Sequence, residues 1–244
     1  MGDKRPVARS GKNEGMVDYS TAQSPQEGKG LIAPASGGER KCPYLDRIAL
    51  LKETFTPDEC TQIINTGLNG WKEESAMIQR DKEGKIEQNF EGDFDYRNTT
   101  LFIPPAPDEW LFSKILGAIM NFNNHETGYQ FDIKGLAEPP NLMRYQAANI
   151  DKHGKPGHYD WHMDIGQGAV NRRKLATTVQ LSGPDEYEGG DFQVWYGGSN
   201  GFITLPREKG DVLIFPTFYL HRVTPITKGE RRALVYWTGG EPFR

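Results

Sequence analysis

Gly157-His158-Tyr159-Asp160-Trp161-His162-Met163-Asp164 is the stretch on which the fold of this chain turns. Aromatic and polar residues alternate through it, and a period of two predicts an extended strand. Residues two apart on a strand share a face, so His162 and Asp164 project together while Trp161 and Met163 turn the other way. The same alternation makes His158 and Asp160 a second H-x-D on that face, and the pattern alone does not choose between the two pairs.

Working outward, Gly210-Asp211-Val212-Leu213-Ile214-Phe215-Pro216 is a short apolar run bounded by Gly and Pro, as a buried strand should be, and His221 follows it. Arg231 then opens Arg231-Arg232-Ala233-Leu234-Val235-Tyr236-Trp237, a further predicted strand with Gly229 marking a turn before it. Two imidazoles and a carboxylate occupy one face of an Fe(II) ion and leave its other positions open. A guanidinium fork pairs bidentately with a carboxylate, so one inward arginine behind such a site suggests an anchor for the far carboxylate of 2-oxoglutarate. Successive strand residues diverge, so Arg231 and Arg232 cannot both face the pocket. A lone histidine on an apolar strand is more often packed than ligating. What argues for metal is the combination of H-x-D, a distal histidine after a buried strand, and this arginine.

Short strands separated by Gly-rich turns predict a mainly β chain with flanking helices, an α+β arrangement around a jelly roll. Candidate strands are Leu142–Gln146, His158–Asp164, Lys174–Leu181, Asp191–Tyr196, Gly201–Leu205, Asp211–Phe215, His221–Thr224 and Arg231–Thr238. Residues 1–44, rich in Gly, Ser, Lys, Glu and Pro, have the composition of a flexible tail. Residues 45–244 then form a single domain with its core at about 140–244. Asp46 to Phe55 reads as a first strand, and Thr56-Pro57-Asp58-Glu59 as a capping box opening a helix with Cys60, Ile63, Ile64 and Leu68 on its apolar stripe. Residues 81–98 read as a long polar loop or loose hairpin, the kind of element that covers a site. Pro107-Asp108-Glu109 opens a longer helix that repeats Leu111, Ile115, Ile119 and Phe122 and buttresses a sheet. Trp161, Trp195, Tyr196, Tyr219 and Trp237 are candidates for a substrate pocket, although strand aromatics ordinarily pack in cores.

At 244 residues the chain supports one substantial core, and its net charge of −4 argues against a broad phosphate-binding surface. Arg172-Arg173-Lys174 reads as a solvated loop or strand start rather than a grip on a substrate carboxylate. The two cysteines, Cys42 and Cys60, provide no disulfide framework and suit free thiols in a reducing compartment. No apolar signal region or 18-residue apolar run is present, so a soluble cytoplasmic protein with no membrane partner is expected. An exposed strand edge could pair two protomers as a homodimer.

Tyr159-Asp160-Trp161-His162-Met163-Asp164, Glu188-Gly189-Gly190-Asp191-Phe192, the run from Phe215 through His221 to Pro225, and Gly229-Glu230-Arg231-Arg232 carry a family likeness. Together they resemble the prolyl and lysyl hydroxylase-like branch of the Fe(II)/2-oxoglutarate dioxygenases, and within it the PKHD-type hydroxylases, over about residues 140–244. The family pattern Y-x-x-H-x-D falls on Tyr159, His162 and Asp164 and leaves His158 and Asp160 beside the site. The resemblance implies a double-stranded β-helix core with Fe(II) on His162, Asp164 and His221, which are thereby the catalytic residues. It further implies Arg231 on the C5 carboxylate of 2-oxoglutarate and Tyr145 lining the cosubstrate pocket. Fe(II), 2-oxoglutarate and O₂ are the implied cofactors, with ascorbate as an accessory reductant. The implied reaction hydroxylates an unactivated C–H of an amino-acid-type substrate, peptidyl or small-molecule, and releases succinate and CO₂. Two other functions compete: oxidative demethylation of nucleic acid, which the acidic balance disfavours, and a sensor that binds iron or 2-oxoglutarate without turnover.

Overall fold

A computed structural model describes residues 48–76, 79–82, 85–88, 93–125, 127–195 and 201–243. Strand β1 (Ala49–Leu51) leads into α1 (Pro57–Gly70). The helix begins where its chemistry dictates. The Thr56 hydroxyl accepts from Glu59 N–H while the Glu59 carboxylate accepts from Thr56 N–H, and Pro57 supplies a preset first turn. Strands β2 (Lys72–Ser75), β3 (Gln79–Lys82), β4 (Lys85–Gln88), β5 (Arg97–Asn98) and β6 (Thr100–Ile103) follow, then α2 (Glu109–Asn124). Asp108 caps α2 by accepting from Leu111 N–H, and the predicted stripe of Leu111, Ile115, Ile119 and Phe122 is its buried face.

The rest is strand. β7 (Gly135–Leu136), β8 (Asn141–Gln146), β9 (His158–His162), β10 (Arg173–Gln180) and β11 (Tyr187–Gly189) precede β12 (Phe192–Trp195) and β13 (Phe202–Thr204). The last are β14 (Val212–Pro216), β15 (His221–Val223) and β16 (Ile226–Gly239). A large sheet runs in the order β1-β14-β10-β16-β8-β6-β2, with β11 and β7 also pairing β16, and a smaller sheet runs β13-β12-β15-β9-β5. The pairings within both sheets are antiparallel, as is that of β3 with β4. The result is the expected mainly β architecture with two flanking helices.

Three layers follow from period-two burial. On the helix side of the large sheet, Leu142, Leu175, Val179, Ile214 and Leu234 pack against the stripes of α1 and α2. On its other side, Met143, Tyr145, Ala176, Phe215 and Trp237 meet Phe192, Val194 and Val223 of the smaller sheet. β14 is buried at every position because it serves both layers, which is why it reads as an unbroken apolar run.

Several expectations need correction. Within the described part of Asp46–Phe55 only Ala49–Leu51 pairs as strand, and Glu53, at φ 51°, turns the chain towards α1. Gly229 is no turn before a strand: β16 runs through it. Its φ of 72° lets β11 cross so closely that a Cβ there would stand 2.2 Å from the Glu186 carbonyl oxygen. β9 ends at His162, short of Asp164. The stretch 81–98 contains part of the β3–β4 pair and also β5, which joins the smaller sheet beside β9. The tail at 1–44, Cys42 and Tyr196 lie outside the described residues. Cys60 is a free thiol, buried, and burial pushes its pKa up to about 11, which makes it a poor nucleophile. No helix of the described residues is long and apolar enough to cross a membrane.

Ile119 is completely buried in the helix layer, so Ile119→Ala should cost about 2–5 kcal/mol in denaturant unfolding. Glu59 also joins α1 to α2 through Lys114 (2.5 and 2.6 Å), and that bond holds its carboxyl below the usual 4.5. A depressed carboxyl stabilises above its unfolded value and loses that contribution as pH falls through the folded one. Glu59→Gln should therefore flatten the acid limb of a stability profile below about pH 4.5 and leave its slope near neutrality unchanged.

Candidate active site

The smaller sheet brings His162 at the end of β9 directly opposite His221 at the start of β15. The next rung pairs Val223 with Tyr159, so β9 carries one more residue than β15 between the two rungs. This bulge breaks the alternation that the sequence suggested. It puts Tyr159, not Asp160, on the face of His162, and the two rings stack at 3.4 Å and 13°. The tie between the two H-x-D pairs is thereby broken sterically. His158 turns both ring nitrogens to backbone carbonyls, Pro156 O at 2.9 Å and Asp95 O at 3.1 Å. Asp160 accepts from the Trp161 N–H, outside the cluster.

Asp164, past the end of β9, completes a group with the two histidines whose ligand atoms all lie within 4.8 Å of one another. Its carboxylate oxygens stand 3.7 Å from His162 Nε2 and 3.4 Å from His221 Nε2. Each imidazole is oriented by the carbonyl two residues before it: His162 Nδ1 lies 2.7 Å from Asp160 O, and His221 Nδ1 2.9 Å from Tyr219 O. A proton held on Nδ1 leaves Nε2 as a bare lone pair, the form in which histidine binds metal. Burial, reinforced by His221, also lowers the His162 pKa well below 6.5, which keeps that ring neutral at physiological pH.

This group opens onto a cavity of about 760 Å³ between the sheets, walled by Tyr145, Tyr159, Arg173, Thr178, Val235 and Trp237 among others. Arg231 is not part of the wall. Its cross-strand partner Tyr145 and its same-face neighbours Val235 and Trp237 are, so its charge sits next to that wall. Arg231 is 1 % exposed, and its guanidinium carbon stands 5.4 Å from the Tyr145 ring. Nη2 donates to Gln180 Oε1 at 3.0 Å, whereas Nε of Arg231 and Nε2 of Gln180 are buried without a partner. Among the described residues no carboxylate pairs with it. A buried cation with unmet donors calls for an anion. With two imidazoles and a carboxylate at the other station, the donor set fits Fe(II) together with a dicarboxylic cosubstrate such as 2-oxoglutarate.

The structure brings together His162, Asp164 and His221, and separately Arg231 with Tyr145. Tyr145 donates to Met143 Sδ at 3.3 Å, and burial raises its pKa. Of the candidate aromatics, Trp161 and Trp237 line the cavity, Trp195 meets Trp161 edge-on at 6.1 Å, and Tyr219 packs against the inter-sheet core. The reading of Arg172-Arg173-Lys174 as solvated holds only for Arg172. Arg173 opens β10 with its side chain 12 % exposed, and the ammonium of Lys174, itself buried, lies 3.6 Å over Phe243. Sequence reasoning missed Gln180 and Arg173 as parts of the site. The only signal for Gln180 was its parity with Ala176 on a strand whose apolar residues face both ways.

A helix-flanked jelly roll with a His-Asp-His cluster on an inter-sheet cavity is an arrangement suited to non-haem Fe(II). Residues 145–239 match the model of the 2OG-Fe(II) oxygenase superfamily. Its likeness within that superfamily is to PKHD-type hydroxylases. One from Gluconacetobacter diazotrophicus is 37% identical over 105 residues, covering 41% of this chain and 42% of that one. Another, from Synechococcus sp., is 35% identical over 105 residues, 43% of this chain and 46% of the relative. The chain thus spans less than half the length of these curated relatives. Among solved structures, a Pseudomonas putida prolyl-4-hydroxylase aligns over 80% of this chain and 92% of its own, with TM-score 0.55 and 12% identity. A Trichoplax adhaerens prolyl hydroxylase, solved in complex with a hypoxia inducible factor peptide fragment, aligns over 79% and 83%, with TM-score 0.55 and 14% identity. At these identities the structural likeness establishes the fold.

His162→Ala should weaken Fe(II) binding by more than about 100-fold, beyond the range of residues that merely support ligands, while His158→Ala retains it. The absorption band of the anaerobic Fe(II)–2-oxoglutarate complex reads both variants.

Proposed function

We propose that this protein is a 2-oxoglutarate-dependent dioxygenase that hydroxylates an unactivated C–H of an amino-acid-type substrate, a peptidyl residue or a small molecule containing one. The observation that carries the reading is the pairing of two stations: three metal-ligand side chains at the cavity, and an uncompensated buried guanidinium beside its wall. Bound Fe(II), 2-oxoglutarate and O₂ supply the oxidising power and yield succinate, CO₂ and the hydroxylated product.

The chain's own residues bind, orient and exclude water. His162, Asp164 and His221 would hold the metal at the cavity. Arg231, with the free N–H of Gln180, would take the C5 carboxylate by charge-assisted hydrogen bonds. Tyr145, 2 % exposed and with its ring 5.4 Å from the Arg231 guanidinium carbon, would help keep water from that carboxylate. No side chain is needed as general acid or base. The names of the similar proteins, PKHD-type and prolyl hydroxylases, support a peptidyl or prolyl substrate.

Arg231→Met should raise the Kd for 2-oxoglutarate by about 30-fold or more, the equivalent of removing one partner of a buried charge pair at about 2 kcal/mol or above. Isothermal titration of the Mn(II)-loaded protein measures it. In turnover, succinate should form in proportion to hydroxylated product when candidate prolyl peptides or free amino acids are supplied. Succinate formation that no such substrate stimulates would count against the hydroxylase reading.

A further inference from the structure

Asp164 is the one member of the cluster that no strand holds, since β9 stops at His162 and the chain bends away. Two main-chain bonds fix it instead. Its N–H donates to Thr217 O at 2.9 Å, and its carbonyl accepts from Arg173 Nη1 at 3.0 Å. Arg173 is immobilised in turn. Its Nε and Nη2 fork onto the two Glu138 carboxylate oxygens at 2.6 and 2.7 Å, and its guanidinium carbon lies 3.7 Å from the centre of the Trp237 ring. Glu138 is itself anchored, because the preceding Ala137 N–H donates to Trp237 O at 2.7 Å on β16. The Thr217 hydroxyl donates to Arg173 O at 2.9 Å, so the two elements that hold Asp164 also hold each other.

We infer that Arg173 is a positioning residue for the metal centre: clasped by Glu138 and Trp237, it sets where the Asp164 carboxylate stands. The inference rests on the reading of His162, Asp164 and His221 as a metal site. The chemistry requires arginine. Only a planar fork reaches Glu138 with two N–H groups while a third donates to Asp164 and the flat face covers an indole; a lysine ammonium is a point charge that cannot do all three. The pair is bidentate and part-buried, with side chains 12 % and 34 % exposed, so it bears on stability as well, and metal-free unfolding separates that effect from the placement of Asp164. Residues that orient metal ligands typically change metal affinity by about 10- to 100-fold when replaced.

The test is Mn(II) binding to the substrate-free full chain, followed by loss of the free-ion electron paramagnetic resonance signal, in wild type, Arg173→Lys and Glu138→Gln. Both variants should bind Mn(II) about 10- to 100-fold more weakly and broaden the bound-ion spectrum. Both variants should keep a cooperative metal-free thermal unfolding transition, which shows that the fold survives the change. Wild-type metal affinity in Arg173→Lys and Glu138→Gln would overturn the clasp alone. A loss of affinity matched by loss of the metal-free fold would make the contact merely structural and overturn it too. Failure of the wild type to bind Mn(II) would instead overturn the metal reading beneath it.

Discussion

Across the pair of β9 with β15, the rung from His162 to His221 is followed by one from Tyr159 to Val223, and the extra residue between them governs the geometry of the site. A regular ladder would have set Asp160 beside His162 and carried a polar side chain into the inter-sheet layer. The bulge places an aromatic ring there, stacked on the His162 imidazole, with the Arg97 guanidinium 4.3 Å from the same ring. Burial, reinforced by His221, lowers the His162 pKa. The bulge also ends β9 early, which leaves Asp164 to be positioned by Thr217 and Arg173 instead of by a ladder.

The same backbone device fixes both imidazoles. Each directs Nδ1 at the carbonyl two residues upstream, Asp160 for His162 and Tyr219 for His221. The local chain itself thus sets the tautomer, and no second carboxylate has to be buried to do so. Burying fewer charges matters here because the neighbouring layer already contains one, Arg231, whose desolvation is only partly met by a neutral amide from Gln180.

Arg231, Gln180 and Tyr145 come from three adjacent strands of the large sheet, β16, β10 and β8. The layer that contains them is continuous with the inter-sheet core, so the unmet donors are held by packing. On the proposed reading, a charge kept dry and uncompensated in this way would select for a ligand with a terminal carboxylate, and the His-Asp-His cluster for chelating oxygen at the other end. The helices contribute by covering the opposite face of the same sheet, where Leu175, Val179 and Leu234 anchor the strands that carry the polar residues on their other side.

Local chemistry made much of this legible. The capping box at Thr56, the stripes of both helices and the apolar run of β14 follow from contacts within a few residues or from a period of 3.6 or two, and the structure shows them where the chain implies them. The donors His162, Asp164, His221 and Arg231 were equally visible as residue types on predicted strands. What the chain by itself could not decide was register. The bulge that separates His162 from His158 exists only in the pairing of β9 with β15. The place of Gly229 inside β16 exists only where β11 crosses it, and the clasp of Arg173 exists only where Glu138 and Trp237 are brought to it. The sequence determined which side chains were available and, for all but Asp164, which strands they rode on. Tertiary structure decided which of them meet, because a single extra residue in one strand of a pair reverses every face beyond it, and that residue is counted only against its partner.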